Sequence, residues 1–325
     1  MRIWQYCSLS MNGLGGVEKH VESVSQALRG LGCEIAIGTT LPESWFNDAS
    51  KPVIVHTHGD LVPAARVAFK VRHRPWMRWI QVCHGTTVGR VLACREIPKL
   101  SATRGTLRDF LGTAYSHGLI AVSQTALNEA KRFFFFRGNS TIIPNAADVK
   151  VFAPLPEVTK EPHLVFVGRS EDGVKNTRAL LEACEEISKT NERLRLFAAP
   201  GIHAKGPQKK FVVNLGPQTN VQLAALFKNC RALVLCSFYE GDPLVLHEAK
   251  ASGLPVAASA LPQLRESLVN YENAFFFDPR NQVEMRQVLS KIVDPGLELR
   301  PAPQPRSWET VASRFLDFYQ GLYVQ

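Results

Sequence analysis

The stretch Ser237-Phe-Tyr-Glu-Gly-Asp-Pro-Leu-Val-Leu-His-Glu-Ala-Lys-Ala-Ser-Gly-Leu-Pro-Val256 decides the fold class of this 325-residue chain. A run of strand-forming residues, 232–236, leads into it, and a turn at Gly241 is followed by an apolar helical pattern that ends near Gly253. Strand, turn and helix in this order are typical of a parallel α/β sheet. In an open sheet of this kind, ligands bind in the crevice beyond the carboxyl ends of the strands.

Two carboxylates, Glu240 and Glu248, lie in this stretch with seven residues between them. The pattern predicts that Glu240 follows the strand and that Glu248 lies on the helix, so that both border the crevice. A carboxylate there can accept two hydrogen bonds from a vicinal diol, such as that of a ribose or a hexose. A sugar or nucleoside ligand is therefore predicted. The alternative is a βα unit whose two acidic residues merely face solvent.

Strand and helix patterns alternate along the rest of the chain. Strand patterns lie at 2–8, 34–38, 53–57, 79–83 and 118–122 in the first half, and at 163–168, 194–198, 211–215, 232–235 and 255–258 in the second. A proline-bearing stretch, 154–162, separates the halves. The predicted fold class is α/β, with two Rossmann-like domains at 1–155 and 156–306. A final helix at 307–325 has apolar side chains at helical spacing and needs an apolar surface to cover them.

The block at 237–256 resembles the E-x7-E signature of the retaining glycosyltransferases of family 4. The resemblance includes the serine that opens the block, the Glu-Gly pair and the closing Gly-Leu-Pro-Val. It extends from the glycine-rich turn at 13–16 to the last helix. It implies the GT-B fold, in which two Rossmann-like domains face each other and the C-terminal helix crosses back to the first. It further implies retaining, metal-independent transfer of a hexose from a UDP- or GDP-linked sugar.

The same resemblance assigns roles to individual residues. Glu248 would hold the nucleotide ribose, Glu240 would contact the donor hexose, and His84 would lie near the reacting sugar. Arg169 and Lys175 would clamp the diphosphate, where preorganised cations stabilise the negative charge that grows on the leaving phosphate. The other residues expected to bind the nucleotide sugar are Gly15, Gly16, Gly241, Asp242, Pro243 and Leu244. Plain structural roles, a tight turn for the glycines and a hydrogen-bonded core position for His84, are the alternatives.

Metal ligands are not evident in the sequence. No D-x-D pair occurs, so the cations at 169 and 175 must substitute for a metal ion at the diphosphate. His56 and His58 are separated by one residue and would face one side of a strand, but the sequence identifies no third ligand to join them. No metal and no cofactor are therefore expected.

Positive charge is concentrated in the first half of the chain. Residues 1–150 contain 18 Lys and Arg against 10 Asp and Glu, whereas the whole chain has 38 against 29. This distribution favours an anionic or membrane-borne acceptor, and nucleic acid is not expected. Two clusters mix basic and aromatic residues; the alternative for each is ordinary packing and solvation. They comprise Arg66, Phe69, Lys70, Arg72, Arg74, Trp76, Arg78 and Trp79, and the run from Arg132 to Arg137.

The chain has seven cysteines, an odd number, and none of them forms a C-x-x-C pair. This arrangement favours reduced thiols over disulfides or a zinc site. The first seven residues have a strand pattern instead of a signal peptide, and no apolar run approaches the roughly 20 residues of a membrane span. A cytoplasmic protein, free or at the inner face of the membrane, is expected. The predicted activity is hexose transfer to a cell-envelope glycan or lipid-linked acceptor. The alternatives are a catalytically silent GT-B-fold binder of sugars or polyanions, and a GT-B epimerase or phosphorylase.

Overall fold

The computed structural model describes residues 1–7, 15–58, 71, 74–94, 99–202 and 209–324. The chain forms two compact units. The first comprises Met1–Leu92, Ile97–Asn145 and Ser307–Gln325, and the second comprises Ala93–Glu96 and Ala146–Arg306. Each unit is built on a six-stranded sheet in which every strand pair is parallel. The predicted class, two Rossmann-like α/β domains, is confirmed.

The sheet of unit 1 has the strand order β2-β1-β3-β4-β5-β6. Its strands are β1 (Arg2–Tyr6), β2 (Glu34–Ile37), β3 (Val53–Thr57), β4 (Met77–Cys83), β5 (Gly118–Ala121) and β6 (Asn139–Ile142). The described helices between them are α1 (Gly16–Gly30), α2 (Glu43–Asn47), α3 (Thr87–Ala93), α4 (Lys99–Tyr115) and α5 (Gln124–Phe134). Strands β3 and β5 are buried at every position, as expected for central strands of a parallel sheet.

The sheet of unit 2 has the order β12-β11-β10-β7-β8-β9. Its strands are β7 (His163–Arg169), β8 (Arg195–Gly201), β9 (Val212–Asn214), β10 (Ala232–Leu235), β11 (Val256–Ser259) and β12 (Ala274–Phe277). The helices are a 3-10 turn (Gly173–Lys175), α6 (Thr177–Ser188), α7 (Asn220–Phe227), α8 (Leu244–Ser252), α9 (Pro262–Ser267) and α10 (Gln282–Ile292). Strands β10 and β11 are buried throughout, and their successive side chains alternate between two apolar clusters.

The last helix, α11 (Trp308–Val324), packs within unit 1. Its residues Val311, Phe315 and Tyr319 are fully buried, and the hydroxyl of Tyr323 donates a hydrogen bond to the carbonyl of Val53 at 2.9 Å. The apolar face predicted for this helix therefore covers the first sheet.

Residues 146–155 pack with unit 2 in the structure, whereas the sequence placed them in the first domain. Phe152 is 1% exposed and lies in the same apolar cluster as Val165 and Leu233. The amide of Leu155 also donates to the carbonyl of Ser252 at 2.9 Å. Phe152 precedes the prolines of 154–162 and already belongs to the core of unit 2. Unit 2 therefore begins at Ala146, ten residues before the boundary at 156 that the prolines indicated.

The basic and aromatic cluster around residue 78 is largely internal where the structure describes it. Trp79 is 1% exposed. The Arg78 guanidinium donates to the carbonyl of Leu322 at 3.1 Å, and the Arg74 guanidinium lies 4.4 Å from the centre of the Phe46 ring. Packing accounts for these three side chains. The other members, Arg66, Phe69, Lys70 and Arg72, lie outside the described residues.

The run from Arg132 to Arg137 closes a core. Phe134 and Phe136 are buried, while Phe135 is 74% exposed and has a left-handed backbone at the end of α5. Among the described residues, no helix combines the length and apolar character that crossing a bilayer requires.

One buried hydroxyl in unit 1 generates a stability prediction. Tyr319 is 0% exposed, its hydroxyl has no hydrogen-bond partner among the described residues, and burial raises the pKa of Tyr319 well above its ordinary value of about 10. A buried hydroxyl without a partner costs about 1–3 kcal/mol, so we expect Tyr319→Phe to raise the free energy of unfolding by about 1 kcal/mol at pH 7.

The Tyr319→Phe substitution also changes how the free energy of unfolding depends on pH above about 10. Above pH 10 the unfolded chain ionises this phenol while the folded chain keeps its proton, so the wild type loses stability as pH rises and the Phe variant loses less. Urea unfolding at pH 7 and pH 10.5 measures both effects. Tyr115→Phe, at a 62% exposed position, is the control. A destabilised Tyr319→Phe protein would show that the hydroxyl is satisfied.

Candidate functional site

The strand order of unit 2 identifies where a ligand should bind. Strands β8 and β9 extend the sheet from β7 on one side, and β10, β11 and β12 extend it on the other. The direction of strand addition therefore reverses between β7 and β10, and ligands of open α/β sheets bind beyond the carboxyl ends of the strands at such a point. Lys175 and Glu240 follow these two strands in the chain.

Lys175 is positioned by the connection that leaves β7. This strand ends at Arg169, whose side chain is exposed, and the 3-10 turn that follows is capped by the Asp172 carboxylate, which accepts a hydrogen bond from the Val174 amide at 3.2 Å. A Cβ on Gly168 would lie 3.5 Å from Cε of Lys175, so the lysine stem runs along the glycine backbone. The Phe238 amide donates to the carbonyl of Val174 at 2.8 Å and ties this connection to the next one.

Glu240 is held by three hydrogen bonds. Its Oε1 accepts from Nζ of Lys175 at 2.7 Å and from Oγ of Ser237 at 2.6 Å. Its backbone carbonyl accepts from the side-chain amide of Gln263, on α9, at 2.7 Å. The Glu240 side chain is 9% exposed and that of Lys175 is 22% exposed. The predicted hexose-contacting carboxylate and one predicted phosphate-clamping cation are thus brought together as an ion pair.

Asp242 occupies a different environment from Glu240. Its Oδ1 lies 2.7 Å from Nε2 of His247 and accepts from the Ser267 hydroxyl at 2.7 Å, and its side chain is fully buried. These contacts tie the start of α8 to α9. We infer that the carboxylate of Asp242 stabilises this connection, and its contact with a nucleotide sugar stays a prediction.

The other residues of 237–256 that were predicted to bind the donor lie on the same connection. Glu248 is 5% exposed on α8, which ends at Gly253 with φ +72°. Gly241, Pro243 and Leu244 are half-buried immediately before and at the start of that helix. Their roles in ligand binding stay predictions.

The glycine turn of unit 1 is described only in part. Gly15 precedes α1 and Gly16 is its first residue, while 13 and 14 lie outside the described residues. A Cβ added to Gly15 would overlap the Glu18 carboxylate, with 1.8 Å to Oε2. The Glu18 side chain folds back over the helix start, and its flexible end would have to move aside for a Cβ at position 15. The predicted diphosphate contact of the two glycines therefore has a carboxylate beside it.

The sheet of unit 1 gathers histidines at the carboxyl ends of its strands. His58 follows β3 and His84 follows β4, and Nδ1 of His58 lies 3.0 Å from Nε2 of His84. His20, on α1, places its ring centre 4.7 Å from that of His84. The side-chain oxygen of Gln5 lies 2.7 Å from Nε2 of His58 and 2.8 Å from Nδ1 of His56. The predicted residue His84 thus belongs to a cluster of four histidines.

Burial sets the charge of this cluster. It lowers the pKa values of His56, His58 and His84 well below 6.5, and the neighbouring histidines lower them further. These imidazoles are therefore neutral at pH 7. Ligand atoms of His20, His58 and His84 all lie within 4.8 Å of one another. The sequence had identified no third ligand because His20 lies on a helix far from the other two and belongs to no recognised motif. One feature of the sequence could have pointed to His20: it lies in the first turns of α1, the helix that follows the carboxyl end of β1, where ligands of such sheets bind.

The Asp242 contacts generate a stability prediction for unit 2. We expect Asp242→Ala to lower the free energy of unfolding by about 2 kcal/mol, because it leaves the buried His247 and the half-buried Ser267 hydroxyl without their acceptor. Asp242→Asn keeps one side-chain oxygen and should lose less. Glu298→Ala, at an exposed position, is the control, and urea unfolding is the measurement. Unchanged stability of Asp242→Ala would refute the structural role.

Comparison with known proteins finds one family model and several relatives that are similar to this chain. A model described as "Glycosyl transferases group 1" matches residues 150–300. The chain is 26% identical over 197 residues to the MMP alpha-(1->4)-mannosyltransferase of Mycolicibacterium hassiacum; the match covers 55% of this chain and about half, 47%, of that protein. It is 24% identical to the phosphatidyl-myo-inositol mannosyltransferase of Mycobacterium leprae, with 98% of this chain and 96% of that protein covered.

Solved structures show the same fold. Sucrose-phosphate synthase (tll1590) from Thermosynechococcus elongatus superposes with a TM-score of 0.73 at 17% identity, covering 99% of this chain and 94% of that chain. At this identity the likeness shows the fold alone.

Proposed function

We propose, because residues 150–300 match the model of the glycosyl transferases of group 1, that the protein is a retaining glycosyltransferase. It transfers a hexose from a UDP- or GDP-linked sugar to a cell-envelope glycan or a lipid-linked acceptor. The observation that carries the proposal is the pairing of Lys175 with Glu240 beyond the two strands that flank the reversal point of unit 2.

The donor site uses cations in place of a metal ion at the diphosphate. Breaking the glycosidic bond develops negative charge on the leaving phosphate, and a fixed cation stabilises that charge more than it stabilises the bound ground state. Lys175 is held by Glu240 and by the glycine backbone beneath its stem, so little reorganisation is needed when the charge forms. The exposed side chain of Arg169 supplies the second cation.

Glu240 contacts the donor hexose. A carboxylate has about four lone-pair positions, and both hydrogen bonds described for this side chain fall on Oε1. Oε2 is therefore the oxygen that accepts from a sugar hydroxyl. The carboxylate of Glu248, on the helix that follows, accepts hydrogen bonds from the hydroxyls of the nucleotide ribose. In unit 1 the neutral imidazole of His84 orients the substrate near the reacting sugar.

Substitution of Glu240 tests the proposal. Removing one preorganised polar group from a transfer site typically costs 10²–10³ in rate, so we expect Glu240→Gln to lower kcat/KM for sugar transfer about 100-fold or more while the protein stays folded. The measurement is transfer from radiolabelled UDP- and GDP-hexoses to lipid and glycan acceptors, with and without EDTA. Glu298→Gln, which removes a charge from an exposed position of the same unit, is the control.

The outcomes separate the proposal from its alternatives. Full activity in Glu240→Gln would refute the assigned role. Binding of a nucleotide sugar without transfer to any acceptor would identify a silent binder of the same fold, and an altered hexose in the absence of acceptor would identify an epimerase.

A lipid-linked acceptor would bring the protein to an anionic membrane surface. Two findings support this step: the relative from Mycobacterium leprae is a phosphatidyl-myo-inositol mannosyltransferase, and residues 1–150 carry an excess of eight positive charges, 18 Lys and Arg against 10 Asp and Glu. Because each surface cation contributes about 1 kcal/mol, we expect flotation with vesicles of anionic lipid at low salt, weakening at physiological salt. Equal flotation with neutral vesicles would contradict the electrostatic account.

A further inference from the structure

Three histidines of unit 1 form a candidate metal centre, and one of them is His84, the residue proposed above to orient the substrate. We propose that ring nitrogens of His20, His58 and His84 bind one transition-metal ion of the zinc class. The three residues come from α1 and from the ends of β3 and β4, and they all belong to the same compact unit. None of the residues proposed for the donor site of unit 2 belongs to this cluster.

The spacing of the nitrogens fits a single ion. Two nitrogens bound to zinc at about 2.0–2.1 Å in a tetrahedron lie about 3.3 Å apart. Nδ1 of His58 and Nε2 of His84 are 3.0 Å apart, and the ligand atoms of all three residues lie within 4.8 Å of one another. Closing the longest separation takes a shift of about 1.5 Å, which small rotations of the rings provide.

The hydrogen bonds around the cluster orient the rings for metal binding. A side-chain amide oxygen only accepts, so the oxygen of Gln5 takes the N–H of His58 Nε2, at 2.7 Å, and leaves the lone pair of Nδ1 facing His84. The oxygen of Asn145, 2.7 Å from Nδ1 of His20, likewise takes that N–H and leaves the lone pair on Nε2. Metal-binding histidines commonly donate their second N–H to such an oxygen, which fixes the tautomer.

The donor set selects the class of metal. Three imidazoles without a carboxylate suit zinc, copper, nickel or cobalt, whereas calcium, magnesium and manganese prefer oxygen ligands. Three protein ligands leave a fourth position for water or another oxygen, as in open zinc sites. His20 is 1% exposed, but His58 and His84 are only half-buried, so the fourth position lies on their side of the cluster.

Calorimetric titration of the 325-residue chain with Zn²⁺ tests the site, after EDTA treatment and removal of the chelator. We expect one ion per chain in the wild type. His58→Gln and His84→Gln should each weaken binding at least 100-fold, and Gln5→Leu, which keeps all three ligands but loses the orienting oxygen, should weaken it 10–100-fold. His117→Gln, at a histidine of the same unit outside the cluster, should bind as the wild type does.

A second readout reports on geometry. Co²⁺ in a tetrahedral histidine site gives visible absorption bands, which we expect in the wild type and not in His58→Gln or His84→Gln. Circular dichroism identifies any variant that fails to fold, and the remaining variants then carry the test. The proposal is overturned if the folded wild type binds neither ion at micromolar concentration, or if the cluster variants bind as tightly as His117→Gln. Because these titrations contain no nucleotide and need no activity, failure of the proposed transfer reaction would leave their result unchanged.

Discussion

The ion pair between Lys175 and Glu240 is the interaction on which the candidate donor site depends. It joins residues 65 positions apart, across the connections that follow β7 and β10. A pair this poorly exposed contributes little net stability, because desolvation offsets most of the attraction, but removing one partner leaves a charge that is costly to bury. Its value is therefore positional. It fixes a cation and a carboxylate at the place where open α/β sheets bind ligands.

In both units the direction of strand addition reverses within the sheet, but different side chains lie at the reversal point. In unit 1 the strand order reverses between β1 and β3, and in unit 2 between β7 and β10. In each case polar groups that are distant in sequence meet at the carboxyl edge of the sheet. Unit 2 collects charged groups that suit an anionic leaving group, whereas unit 1 collects neutral imidazoles around the side-chain oxygens of Gln5 and Asn145. The same architecture thus brings together two chemically different sets of side chains.

The local patterns of the sequence were sufficient to predict the fold and the placement of two candidate site residues on its elements. The block at 237–256 placed Glu240 after a strand and Glu248 on a helix, and the structure has both there. Pairings across the sheet were not predictable, because no local signal links Lys175 to Glu240 or His20 to His84. The start of unit 2 was misplaced for a related reason: the prolines at 154–162 mark a loop, but Phe152 is already in the core. The hydrogen bond that Asp242 accepts from Ser267, a residue of the next helix, likewise has no local signal in the sequence.

Hydrogen–deuterium exchange with and without UDP- and GDP-linked hexoses tests the central claim most directly, because it locates a bound donor on the chain. Slower exchange at 169–176 and 237–248 in the presence of one nucleotide series, and without added metal, is the result that the Lys175–Glu240 site predicts. Unchanged exchange in these two segments, with protection elsewhere in the chain, would contradict the account.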